Sequence, residues 1–231
     1  MRTFFAVLWC GAAAIAAAAP ATHTVPDTIA QRVQACTACH GKEGVPAGRD
    51  YFPRIAGKPA GYLYNQLISF REGRRSNGTM AALVENMSDD YLMEIAGYFA
   101  ALDLPYAAPA AQEPAAFDLQ RGRTLVERGD AGRRLPACVQ CHGQKMTGVA
   151  PAVPGLLGLP KDYLLAQFGA WRSGQRRAAA PDCMHEIGNR LSAQDLGAVA
   201  AYLAQQPVPA DSRPAASAAS AWPIECGSTT R

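Results

Sequence analysis

The chain has 231 residues, 49% of them apolar and 18% charged, with a formal net charge of +3. This balance excludes a disordered polyelectrolyte and a multi-span membrane protein, since the only long apolar run lies at the extreme N-terminus. Residues 1–114 hold 9 basic and 10 acidic side chains, residues 115–231 hold 13 and 9. So small a surplus leaves no footprint for nucleic acid, whereas asymmetry between halves can orient docking to a partner protein.

At the start of the chain, Arg2 precedes an apolar stretch from Phe4 to Ala19 and the small-residue sequence Ala19-Pro20-Ala21. The pattern predicts a secretory signal over residues 1–21, removed on export to the periplasm. The alternative is a retained membrane anchor, and the sixteen residues from Phe4 to Ala19 fall just short of the ~20 a span needs. Cys10 leaves with the leader.

Beyond it the chain repeats itself. Cys36-Thr37-Ala38-Cys39-His40 returns 102 residues later as Cys138-Val139-Gln140-Cys141-His142. Phe52-Pro53 and Val153-Pro154 follow, with Tyr62-Leu63 and Tyr163-Leu164 each nine residues after the proline. Residues 62–75 align with 163–176, and Ser88 with Ser192. Tyr62, Leu63, Gln66, Leu67 and Phe70 fall at helical spacing, as do Leu92, Ile95, Ala96 and Phe99 and their counterparts Leu196, Val199, Ala200 and Leu203. Ser88 and Ser192 stand as N-caps of the last helix in each copy. The division is then a first domain over 25–105, a Pro/Ala linker over 106–114, a second domain over 115–207 and a Pro/Ala-rich tail over 208–231. The expected fold class is all-α, two tandem small domains, each too small to bury a sufficient core without a group at its centre.

The Cys-x-x-Cys-His segments say what that group is. Thiols three residues apart share a helix face, so each can add to one of two vinyl groups on the same porphyrin edge, and the next histidine becomes an axial iron ligand. Zinc would need four ligands where each copy clusters three, and a redox dithiol explains neither the histidine nor the duplication. Cys36, Cys39, Cys138 and Cys141 are therefore read as attaching two covalent haem c groups, with His40 and His142 on the iron. Met80 and Met184 each lie eight residues before the capping serine, and this matched placement makes them the paired distal ligands. Met87 aligns with Leu191 and reads as core, while Met146, so close after His142, stays on the proximal side. Cys183 and His185 flank Met184 as competing ligands. Counting gives another use for Cys183: with Cys10 and four haem thiols set aside, Cys183 and Cys226 form an even pair that an oxidising compartment can bridge. Pro53 and Pro154 offer carbonyls to the imidazole Nδ1 hydrogens, though either can equally be a simple turn proline. The recurring clusters Arg71, Arg74, Arg75 and Arg172, Arg176, Arg177 read as solvated helix ends, with pairing to haem propionates or a partner's acidic groups as the alternative.

In combination, the two CxxCH units, the YLxxQLxxFRxGxR-type helix and a methionine eight residues before a serine-capped final helix resemble the diheme cytochrome c4 family. The resemblance covers most of residues 28–205, including LQRGRTLVERGDAGRRLPACVQCH at the entry to the second copy. It implies two class I cytochrome c domains with His40/Met80 and His142/Met184 irons, the Pro53 and Pro154 carbonyls backing the histidines. It also implies single-electron transfer in the periplasm, peripheral to the membrane, from a membrane-bound reductase or dehydrogenase to a terminal oxidase or another acceptor. Three features depart from the pattern: Cys183 and His185 beside Met184, a short segment before Met80, and the tail carrying Cys226. The alternative reading is a diheme oxidoreductase acting on a small sulfur substrate such as thiosulfate, motivated by Cys183. A diheme peroxidase fits less well, because the first copy has no spare histidine for an open iron and His23 lies beside the cleavage region.

Overall fold

A computed structural model describes residues 26–46, 52–108 and 118–229; the leader, His23 and most of the linker lie outside them. The elements are helical throughout, apart from one two-residue hairpin, as the all-α reading expects. In the first half, α1 (Ile29–Arg32) and α2 (Gln34–His40) carry the first cysteine motif. They are followed by α3 (Ala60–Arg71), α4 (Gly78–Val84) and α5 (Asp89–Ala100). The second half repeats the order with α6 (Leu119–Arg128), α7 (Cys138–His142), α8 (Lys161–Arg172), α9 (Cys183–Arg190) and α10 (Ala193–Gln205).

Caps start the helices where the sequence places them. Ser88 accepts a hydrogen bond from the Tyr91 amide, with Asp89 and Asp90 in the first turn of α5. Ser192 does the same for Asp195, whose carboxylate reaches back to the Ser192 amide and completes a capping box on α10. The inward faces follow the predicted periods: Leu92, Ile95, Ala96 and Phe99 are buried on α5, and Leu196, Val199, Ala200 and Leu203 on α10. Buried apolar residues gather into two clusters, one per half, as tandem domains require.

In the second half α6 crosses α10 closely enough that a Cβ on Gly122 would lie 2.2 Å from the Ala198 carbonyl oxygen, so this crossing needs glycine. Asp195, 5% exposed, locks it from the side: its carboxylate accepts from Arg121 Nε (3.0 Å) and Arg133 Nη1 (2.7 Å) as well as from Ser192.

Two features were not foreseen. β1 (Gly148–Val149) and β2 (Val153–Pro154) pair antiparallel, with Val149 opposite Val153, where extended, β-branched residues flank a proline turn. The tail then runs beside β1, with the Ala215 amide donating to Gly148 O (2.9 Å) and the Ala150 amide to Ala215 O (2.8 Å). The halves meet through backbone as well as side chains: the Ser76 amide donates to Gln175 O and the Arg177 amide to Arg74 O, both at 2.7 Å. Tyr106, leaving the first half, stacks on the Arg54 guanidinium at 3.8 Å and lies against Gly158 of the second.

Candidate haem sites

A continuous cavity of about 840 Å³ runs through both halves and the seam between them. Cys36, Cys39, His40 and Met80 line it in the first half; Cys138, Cys141, His142 and Met184 line it in the second. All eight residues singled out in the sequence are thus brought to one space. The helical stripe of Tyr62, Leu63, Gln66, Leu67 and Phe70 faces this cavity too, so it forms a wall around a guest rather than an ordinary core face.

The proximal histidines are oriented alike. His40 Nδ1 lies 2.9 Å from Pro53 O, and His142 Nδ1 lies 2.7 Å from Pro154 O. A carbonyl can only accept, so the proton sits on Nδ1 and the Nε2 lone pair is left for a metal. Burial pushes both imidazoles below their usual range against the opposing effect of these hydrogen bonds, which keeps them neutral, the form that ligates. Burial likewise raises the Cys36 and Cys141 thiols and pushes Cys138 up to about 12. Among the described cysteines these four, counting Cys39, form no disulfide.

Of the two lining methionines, Met80 lies in the first turn of α4, its amide donating to the Asn77 side chain at 3.0 Å. Met184 lies in the first turn of α9, which Asp182 caps through the His185 amide at 3.1 Å. Both methionines are half-buried and pack against the core of their own half. Their competitors are engaged elsewhere. Cys183 is bonded to Cys226, so no thiolate stands there. His185 is exposed, its Nδ1 3.0 Å from Trp171 O and its Nε2 3.0 Å from the Asn189 amide nitrogen.

The arginine clusters require a correction. Arg172 and Arg177 are exposed, as solvated helix ends should be. Arg75 and Arg176 are not: Arg176 is 5% exposed and Arg75 half-buried, because each helix end abuts its own repeat. Gln66 Oε1 accepts from Arg75 (2.9 Å) and Arg176 (3.0 Å), and Gln167 Oε1 accepts from the same two (2.9 and 2.7 Å). The guanidiniums also cover Phe70 and Trp171 at 4.6 and 3.9 Å. Among the described ion pairs, none includes either arginine. Burial alone would raise the Tyr62 hydroxyl, but Arg176, Arg75 and Lys58 outweigh it and hold Tyr62 below its ordinary value. Lys58, 6% exposed, reaches Gly155 O at 3.4 Å and lies over the Tyr106 ring at 5.7 Å; the repeat offers a signal for it, since it stands where the second copy has Leu159.

Paired thiols, a neutral imidazole and a thioether lining one cavity, apolar sides, and buried cations lacking carboxylates are what an iron porphyrin with two propionates would fill. Fold and site together define a tandem c-type cytochrome.

Comparison with known proteins agrees. Residues 119–203 match the family model described as cytochrome c oxidase, cbb3-type, subunit III. A thiosulfate dehydrogenase electron acceptor from Thiomonas intermedia is 34% identical over 90% of this chain and 90% of its own length. Cytochrome c4 from Pseudomonas aeruginosa is 31% identical over 78% of this chain and 89% of its own. Among solved structures, reduced cytochrome c4 from Pseudomonas stutzeri superposes with a TM-score of 0.65 at 28% identity, over 76% of this chain and 95% of that one. Thiosulfate dehydrogenase from Marichromatium purpuratum gives 0.65 at 36% identity, over 75% of this chain and 36% of that one. The chain belongs to the diheme cytochrome c4 family, and it is an electron-transfer protein carrying covalently bound haem c.

Proposed function

We propose that this chain accepts single electrons from a thiosulfate-oxidising dehydrogenase and passes them to a terminal oxidase. The observation that carries the carrier role is that each half brings a histidine, fixed through Nδ1, and a methionine to one cavity. When bound, haem supplies a reversible one-electron couple at iron. Cys36 and Cys39 would tether one porphyrin, Cys138 and Cys141 the other. His40 and Met80 would hold one iron and His142 and Met184 the other, so that neither would offer a site to substrate. Arg75 and Arg176 would neutralise the propionates that the groups bring to the seam. With domain limits at 25–105 and 115–207, each unit would hold one such set.

The donor is read from two relatives named thiosulfate dehydrogenase electron acceptor, the second 38% identical over 74% of this chain. The bridge between Cys183 and Cys226 disfavours the chain as the thiosulfate-oxidising enzyme itself, since it removes the thiolate that motivated that reading. We place the protein in the periplasm, where the leader would deliver it and the disulfide persists; among the described residues no helix is long and apolar enough to cross a membrane.

Stopped-flow mixing of the oxidised holoprotein with thiosulfate and a thiosulfate dehydrogenase tests the reading. Both haems should reduce rapidly with the enzyme present and stay oxidised with thiosulfate alone. Reduction by thiosulfate alone, or none in the mixture, would reject it.

A further inference from the structure

We propose that the C-terminal segment around Cys226 is a clamp that positions Met184 as a distal ligand, serving the second haem and not the first. The proposal rests on the axial assignment above. The two distal loops differ in length: Met80 follows Arg75 by five positions, Met184 follows Arg176 by eight. A longer loop has more conformations to lose when its methionine is held on a metal. The first loop is closed locally, since the Asn77 cap binds the amide of Met80 itself. In the second, the Asp182 cap binds the amides of Ala178 and His185, bracketing Met184 without touching it.

The tail supplies what the longer loop lacks. Cys226 is bonded to Cys183, the residue immediately before Met184. The next residue, Gly227, donates its amide to Pro181 O at 2.9 Å. A Cβ on Gly227 would lie 2.1 Å from Ala180 O, so only glycine permits this approach. One residue further, Ser228 O accepts from Asn65 Nδ2 at 3.1 Å, fastening the tail to α3 of the first half. Residues 180–183 are thus gripped by two consecutive tail residues, Cys226 and Gly227, and the next one, Ser228, is anchored on a different helix. Trp222 and Ile224 lead into this grip and line the same cavity as Met184. Residues 76–80 meet the other half where the Ser76 amide donates to Gln175 O, but among the described residues no disulfide or tail segment holds them, which makes the first haem an internal control. Released from the clamp, the loop would hold Met184 on the iron for a smaller fraction of the time, and the second site would open to small ligands.

The test uses the haem-loaded Cys183→Ser/Cys226→Ser double variant. Gly227→Ala, which keeps the bridge but cannot fit the approach, serves if the double variant accumulates poorly. Proton NMR of the reduced protein counts methionine methyl groups shifted by the haem ring current, and carbon monoxide probes open irons. Wild type should show two such methyl signals and bind carbon monoxide slowly. The variant should keep the signal that Met80→Ala removes, lose or broaden the other, and bind carbon monoxide at one haem at least ~10-fold faster. Both signals retained with carbon monoxide binding unchanged would overturn the clamp, as would loss of both signals together. Fewer than two signals in wild type would instead overturn the axial assignment beneath it.

Discussion

Asp195 offers a quantitative test of the second domain's construction. Its carboxylate accepts four hydrogen bonds: Arg121 Nε at 3.0 Å, Arg133 Nη1 at 2.7 Å, Ser192 Oγ at 2.8 Å and the Ser192 amide at 3.1 Å. The last three converge on one oxygen. Asp195→Asn keeps the volume but either turns an amide donor toward those three donors or, flipped, toward Arg121. A hydrogen bond to a charged group contributes ~1.5–3 kcal/mol, but the arginine side chains are 38% and 35% exposed, so solvent screening reduces their share to ~1 kcal/mol each. With ~1 kcal/mol from the serine pair, the loss is about 3 kcal/mol. For a domain of this size that is a fall of roughly 15 °C in Tm.

The pH dependence has a definite sign. Burial acts to raise the Asp195 carboxyl, but Arg133, Ser192 and Arg121 outweigh it and hold the carboxyl well below its usual range. The charge therefore stabilises the fold fully above the unfolded-state value of ~3.9, and the contribution is lost as pH falls from there through the depressed native value. Thermal unfolding of wild type and Asp195→Asn, followed by far-ultraviolet circular dichroism and Soret absorbance, should show the full gap near neutral pH and a shrinking gap below about pH 4. A difference under ~0.5 kcal/mol, or one unchanged in acid, would refute the reasoning.

Other substitutions probe the site. Met80→Ala and Met184→Ala should each abolish half of the long-wavelength methionine-to-ferric-iron band and open one haem to carbon monoxide, as read by optical titration; an unchanged band would remove that residue from the metal. Arg176→Met should lower both midpoint potentials in spectroelectrochemistry. A unit charge ~12 Å from a metal at an effective dielectric of ~20 contributes ~1.4 kcal/mol, which is about 60 mV for one electron; an increase would contradict the placement of the cation beside both haems. Gly122→Ala must push its new methyl into the Ala198 carbonyl and should cost ~1–3 kcal/mol in urea unfolding of the holoprotein.

The legible part of this protein is where covalent chemistry or the repeat restricts the residues. A haem edge dictates the cysteine spacing, so Cys36, Cys39, Cys138 and Cys141 stood out at once, and duplication promoted Met80 and Met184 above the other methionines. A proline 13 residues after His40 and another 12 after His142 points to the carbonyl contacts, but a turn proline would look the same, and only the 2.9 and 2.7 Å separations distinguish them. Parity of the cysteines suggested the bridge from Cys183 to Cys226 and said nothing of the grip that Gly227 and Ser228 add. Arg75 and Arg176 read as solvated helix ends because helix-end position is a local property, whereas their burial comes from the other repeat meeting them across the seam. Lys58 escaped notice for the same reason: its surroundings are supplied by Gly155, 97 residues away.

The most direct test of the central claim is near-infrared magnetic circular dichroism of the fully oxidised holoprotein, calibrated against haem content per chain. The account predicts two low-spin haems per chain, one for each cysteine motif, both with histidine and methionine as axial ligands. A high-spin fraction, or a haem with two nitrogen ligands or a thiolate, would contradict it.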